Sequence, residues 1–305
     1  MRIVSLLPTA TEMLCALGLS RQIVGRSEHC RYPPEIRSRP IVVKSAAKKI
    51  AAQDSLAIHR AVLKLKRENT HPFDLDLRAL RRLKPDLVVT QTLCTVCAAS
   101  HSEVEEAVRS LSPRPKTVSV HARRLSEIFD DFRRLGAVTG RAARAARVVE
   151  TLEGEMDETR RKVAGAGRPR VWCCEWLEPL MAAGHWIPEL VEAAGGEDGL
   201  GVKGNNSRWI TWEEVRRYDP EVILVMPCSY TIAQSLRERG RLARRPGWEN
   251  LSAVRGGRVH ALNTSFLHHA GPRLGKGARF LSRLIHPELF SDRMRPCGSH
   301  AALCS

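Results

Sequence analysis

The chain reads as an α/β protein of two Rossmann-like lobes, each on a mostly parallel sheet, joined by a long helical connector. Three observations predict this. Short apolar runs alternate with stretches of helical period along most of the sequence, the pattern of parallel strands with helices on both faces. The alternation stops between residues 125 and 164 and then resumes. The length of 305 residues exceeds what one domain of about 100 to 200 residues needs.

RIVSLL (2–7) opens the chain as a buried strand, and Thr9 with Glu12 three residues on reads as a capping box for a helix ending near Gly18. QIVGRS (22–27), the proline-punctuated CRYPPEIRSRP and the strand IVV (41–43) follow. Helical periods over DSLAIHRAVLKLKREN and LDLRALRRLKP precede the strand DLVVTQ (86–91). A helix begins near Ser102 with Glu105 in the capping position, and TVSV (117–120) is the last strand of an N-terminal lobe over 1–124.

Leu125, Ile128, Phe129, Phe132 and Leu135 recur at helical spacing, Gly136 and Gly140 interrupt, and RAARAARVVETLEGEMDETRRKV resumes the pattern. This stretch, 125–164, has no strand and is too long for a loop, so it is expected to connect the lobes. A C-terminal lobe over 165–290 repeats the alternation. It holds the strand VWCCEW, a helix from Pro188 to about Ala194, a helix at TWEEVRRYD, the strands EVILVM and RVHAL, and the helix RLGKGARFLSRLI. Residues 291–305 lack periodicity and are expected to form a flexible tail.

Composition narrows the function. The formal charge is +16, but the excess sits in scattered pairs such as Arg81 and Arg82 or Arg244 and Arg245, interleaved with acids, and aromatics are only 5%. That fits a solvated basic surface better than a specific nucleic-acid face. No segment approaches the roughly 18 apolar residues of a membrane span. Nine cysteines without regular spacing argue against a disulfide framework and fit a reducing cytosol. Phosphate-loop, GxSxG, HExxH and GxGxxG patterns are all absent from the sequence. His268 and His269 stand near Ser265 with no carboxylate beside them in sequence to orient them, and no enzyme is expected.

The segments RIVSLLPTATEMLCALGLSRQIVGRSEHCRYPPEI, LKPDLVVTQTLCTVCA, EWLEPLMAAGHWIPELVEAAGGEDGLG, TWEEVRRYDPEVILVMPC and RPGWENLSAVRGGRVHAL resemble, in matching order, the substrate-binding proteins of iron-siderophore and cobalamin ABC importers, in the cobalamin-binding-like branch. The resemblance covers residues 2 to 290. It implies two α/β lobes joined by a long helix, with a cobalamin or other metal chelate clamped between them, and an ABC permease as partner. It also implies an export signal, which the opening residues do not show. The localisation expected from the sequence as written is cytoplasmic, and periplasmic if the start is incomplete.

Ligands of open parallel sheets bind beyond the carboxyl ends of the strands. Pro8 and Thr9 follow the first strand, Glu28 to Cys30 and then Tyr32 follow the second, and Gln91 to Cys97 follow DLVVTQ. In the other lobe Glu175 and Trp176 end one strand and Cys228 follows another. Pro8, Thr9, Glu28, Tyr32, Gln91, Glu175, Trp176, His185 and Trp186 are therefore the candidate ligand contacts. The two tryptophans and His185 offer a wall for a planar ring, or pin their own loop. His29 and His185 are candidate metal ligands or ordinary hydrogen-bonded histidines.

Cys30, Cys94, Cys97 and Cys228 supply enough thiolates for tetrahedral zinc or an iron-sulfur cluster, although only one CxxC pair is present. Buried inert thiols are the alternative for each. Two other readings stay open: a cytosolic metal- or cluster-binding protein, and a dithiol redox protein acting through Cys94 and Cys97.

Overall fold

The computed structural model describes residues 1–45, 54–68, 73–91, 101–263, 265–291 and 302–303. The chain divides into two compact units, the first of residues 1–53, 57–122 and 126–150, the second of 54–56, 123–125 and 151–305.

In the first unit β1 (Ile3–Ser5), β2 (Ile23–Ser27), β3 (Ile41–Ser45), β4 (Phe73–Leu75), β5 (Leu87–Gln91) and β6 (Lys116–Val120) form a sheet in the order β4-β3-β2-β1-β5-β6. All pairings are parallel except that of β4 with β3. Leu87, Val88 and Val89 are buried, as expected of a strand covered on both faces. Around the sheet run α1 (Pro8–Ala16), α2 (Ser55–Arg67), α3 (Leu77–Leu83), α4 (His101–Arg109) and α5 (Leu125–Val138), and α6 (Ala142–Lys162) carries the chain into the second unit. Val4, Leu6, Val42, Leu80, Val88, Val104 and Val108 pack into one core.

Two local readings of the sequence are corrected here. Thr9 does not cap α1: the helix starts at Pro8 behind Leu7, which makes no side-chain cap. Proline at the first helical position presets φ and has no N–H to satisfy, so it takes the start that the capping pattern assigned one residue later. The stretch LDLRALRRLKP is not one helix either. Leu75 ends β4, and Asp76 caps α3 by accepting the Ala79 amide at 2.8 Å.

In the second unit β7 (Val171–Leu177), β8 (Leu180–Ala182), β9 (Arg208–Trp209), β10 (Val222–Val225), β11 (Val259–Leu262) and β12 (Ala302–Leu303) form a sheet in the order β12-β11-β10-β7-β8-β9. The pairs among β12, β11, β10 and β7 are parallel, and β7-β8-β9 is an antiparallel meander. β12 lies in the stretch that the sequence leaves without period, where a two-residue strand borrows its pairing from β11. The helices are α7 (Ile187–Ala193), α8 (Trp212–Tyr218), α9 (Ile232–Ala243), α10 (Ser252–Arg255), α11 (Ser265–His268) and α12 (Leu274–Ile285). Trp172, Cys174, Leu177, Ile223, Val225 and Trp248 belong to its core.

After α7 the chain turns through Gly195, whose φ is +88° and where a Cβ would stand 2.6 Å from His286 Nε2, so only glycine fits. The loop that follows is closed by Asp198, whose Oδ1 accepts the amides of Leu200 and Gly201 at 3.2 and 2.9 Å. Burial pushes its pKa up to about 7 against the pull of those amides, so the folded protein binds a proton there that the unfolded chain releases near pH 4.

A folded-state pKa above the unfolded one gives stability that is complete below about pH 4 and lost as pH rises to about 7. Asp198→Asn is therefore expected to flatten the fall of stability between those values, read by urea titrations at several pH values. The N-cap of α8 gives a second expectation. Thr211 Oγ1 accepts the Glu214 amide at 3.2 Å, and Glu214 accepts the Thr211 amide at 2.7 Å. Thr211→Ala should cost about 1 kcal/mol in the same titration.

Candidate functional site

In the first sheet the strand order reverses between β1 and β5, and ligands of such sheets collect at the carboxyl edge beside that point. Pro8 and Thr9, the first residues of α1, follow β1 there, and Gln91 ends β5. Glu28 follows β2; its Oε1 accepts the Ser45 amide and stands 3.9 Å from His29 Nε2. The His29 ring meets Phe73 edge-on at 5.6 Å. Tyr32 is 45% exposed. Cys30 is fully buried, its Sγ is 3.9 Å from the Ser5 carbonyl, and burial pushes its pKa up to about 11. Cys94 and Cys97 lie outside the described residues.

The second sheet builds a denser constellation at the same edge. Between the pairs Cys174–Ala182 and Trp176–Met181 the register shifts, which makes Glu175 the extra residue of a bulge. Bulges re-aim side chains at strand ends. Glu175 Oε2 accepts the Ser207 hydroxyl at 2.6 Å. Burial raises its pKa, and His268 opposes the rise.

His268, at the end of α11 beyond β11, has both ring nitrogens shielded from solvent. Burial pulls its pKa down, but the neighbouring Cys228 thiol and Glu175 together reverse the shift and leave it raised. Cys228 follows β10, the strand between β7 and β11. Glu175, Cys228 and His268 thus come from the ends of three adjacent strands. The carboxylate that the sequence could not place beside His268 is Glu175, 93 positions earlier by the sequence numbering.

His185 belongs to the same group. Its backbone is left-handed, φ 53°, and is fixed by its amide on the Asn205 carbonyl at 2.6 Å and its carbonyl on the Gly204 amide at 2.9 Å. Burial and then Arg123 lower its pKa, so the imidazole is neutral near pH 7, and its Nε2 is buried with no hydrogen-bond partner. Arg123 is held by Asn206 at 3.0 Å, and Glu189 ties down the next two residues through the Arg124 guanidinium and the Leu125 amide.

Trp176 is fixed from two sides. Its indole N–H donates to the Ser55 carbonyl at 3.2 Å, and its ring meets Tyr230 edge-on at 5.5 Å. Ser55 is itself fixed by Glu238, which accepts both its hydroxyl and its amide at 2.6 and 3.0 Å. The Tyr230 hydroxyl is buried without a hydrogen-bond partner. Trp186, read from the sequence either as a wall or as a pin for its own loop, is 6% exposed and its indole N–H donates to the Leu267 carbonyl at 2.8 Å.

Chemically the edge offers an aromatic plane, a neutral imidazole, a second imidazole under the influence of a thiol, and a carboxyl group. Among the described residues no group of three or more His, Cys, Asp or Glu side chains is spaced to hold a metal ion. No described helix is long and apolar enough to cross a membrane. His268, Tyr230, Ser207 and Arg123 were not predicted as site residues; the one signal for them was the His268–His269 pair after a strand.

Comparison with known proteins agrees with this architecture. The chain is 21% identical to an uncharacterised ABC transporter substrate-binding lipoprotein of Bacillus subtilis, over 95% of this chain and 82% of that protein. It is 25% identical to the vitamin B12-binding protein of Salmonella typhimurium, over 93% and 90%. The fold matches the periplasmic heme-binding protein RhuT of Roseiflexus sp. RS-1 with a TM-score of 0.69 at 21% identity, over 95% of this chain and 99% of that one. The family model described as periplasmic binding protein matches residues 3–265, and the chain belongs to that family.

Proposed function

We propose that the protein is a solute-binding protein that carries a metal chelate of the corrinoid or haem type to an ABC permease, without chemical turnover. The observation that carries this reading is the constellation of Glu175, Trp176, Cys228, Tyr230 and His268 at the carboxyl edge of the second sheet. An aromatic plane with fixed polar groups around it suits a large, flat ligand with polar substituents. Pro8, Thr9, Glu28, Tyr32 and Gln91, at and after the carboxyl ends of strands of the first sheet, are proposed as further ligand contacts. The names of the relatives support the ligand class and the permease. The lipoprotein description of the Bacillus relative supports an envelope setting over the cytosolic one that the thiols suggest. No observation favours the zinc, iron-sulfur or dithiol redox readings.

Titration with hydroxocobalamin and with hemin, followed by tryptophan fluorescence and melting temperature, tests the reading. A ligand that binds only the folded protein stabilises it by about 2.7 kcal/mol at a hundredfold excess over its Kd, so one of the two should raise the melting temperature. Indifference to both would overturn the chelate reading. Trp176→Ala should weaken that binding about tenfold, which corresponds to roughly 1.4 kcal/mol, while Trp186→Phe should leave affinity unchanged within about twofold because its ring faces the core.

A further inference from the structure

We propose that the C-terminal end of α6 and the adjoining face of α12 form a second binding site, for the phosphate group of an organic phosphate. The two helices border a cavity of about 460 Å³ lined by Arg161 and Lys162 from the last turn of α6, Arg279 and Arg283 from α12, and Phe290. All lie in the second unit, and Glu175, Cys228 and His268 take no part in it.

The arrangement of charge is what points to an anion. Glu158 is the one carboxylate in the lining among the described residues. On the same helix Arg160 is paired with Asp157 at 2.7 Å, the ordinary fate of a surface cation. Arg161, Lys162 and Arg279 form no ion pair within 4 Å among the described residues. Part of this charge answers the negative helix ends, each worth about half an elementary charge. Arg161, Lys162 and Arg279 outnumber Glu158 in the lining, with Glu155 offsetting part of the Arg279 charge, and a net positive lining suits an anion.

Geometry narrows the class further. Guanidinium forks from two helices and one ammonium can take separate oxygens of a tetrahedral group. Phe290 is held between Lys162, 5.7 Å from its centroid, and Arg283, 5.4 Å from it, which keeps an apolar surface beside the charges. A cavity with one apolar wall fits a phosphate ester, whose organic part lies against Phe290 and Leu289. The ester is either a soluble metabolite or a phospholipid headgroup, and the two share this chemistry.

The test uses the full chain and two probes, glycerol 3-phosphate in calorimetric titration and phosphatidylglycerol vesicles in flotation, with phosphatidylcholine vesicles as the uncharged control. The parent should bind at least one probe saturably. The double variant Arg161→Glu/Arg279→Glu should lose about tenfold or more in affinity, as expected for two charge-assisted contacts replaced by repulsion. Arg217→Glu/Arg255→Glu makes the same change in net charge elsewhere and should bind like the parent. Binding of glycerol 3-phosphate identifies a soluble ester as the source, and flotation with phosphatidylglycerol alone identifies a headgroup. Binding of neither probe, or equal loss in both double variants, would overturn the site. Equal melting temperatures for all three proteins separate loss of the site from loss of the fold.

Discussion

Parallel pairing puts the carboxyl end of every strand on one edge of a sheet, and the chemistry of this protein depends on that constraint. β7, β10 and β11 are neighbours in the second sheet and run the same way, so the residues after each are brought side by side whatever their separation in sequence. Glu175, Cys228 and His268 lie within one another's electrostatic influence for this reason. The same constraint places Pro8, Glu28 and Gln91 along the edge of the first sheet. The sheet's hydrogen bonds and apolar cores bear the cost of ordering the backbone, and they leave the edge free to hold polar groups in environments that water would not allow.

Those environments are the second consequence. A carboxyl group raised by burial, an imidazole lowered by burial and another raised by its neighbours stand on one edge. Burial acts in opposite directions on acids and bases, so one low-dielectric edge drives Glu175 and His185 toward their neutral forms. Neutral groups cost less to desolvate when a ligand arrives. The fixed partners of Trp176 have a related effect: an aromatic ring already tied to Ser55 and Tyr230 loses little freedom on binding.

How far the sequence discloses all this depends on the length and environment of each element. The runs at Leu87–Gln91, Val171–Leu177 and Val222–Val225 are legible because strands buried on both faces are continuously apolar. β4, β8 and β9 are two or three residues long and owe their existence to the strand beside them, so no local period announces them. Helix α9 escapes the sequence pattern because it buries Ser235 and Glu238, polar residues that a hydrophobic period counts as exposed. Glu238 is buried because it receives Ser55, a partner far away in sequence.

The sequence by itself determined the alternating α/β order, the break in that order over 125–164, and which segments end at strand carboxyl termini, since these follow from local hydrophobic period and turn chemistry. It also named Glu175, Trp176, His185 and Cys228 as residues to watch. Only the tertiary structure decided which of them meet. It placed Glu175 in a bulge against Ser207 and within the electrostatic influence of His268, buried Cys30 and Trp186, and set Arg161 and Lys162 across from Arg279 and Arg283. Strand order, bulges and burial are properties of the whole packed chain, and a side chain's partners and ionisation follow from those and not from its neighbours in sequence.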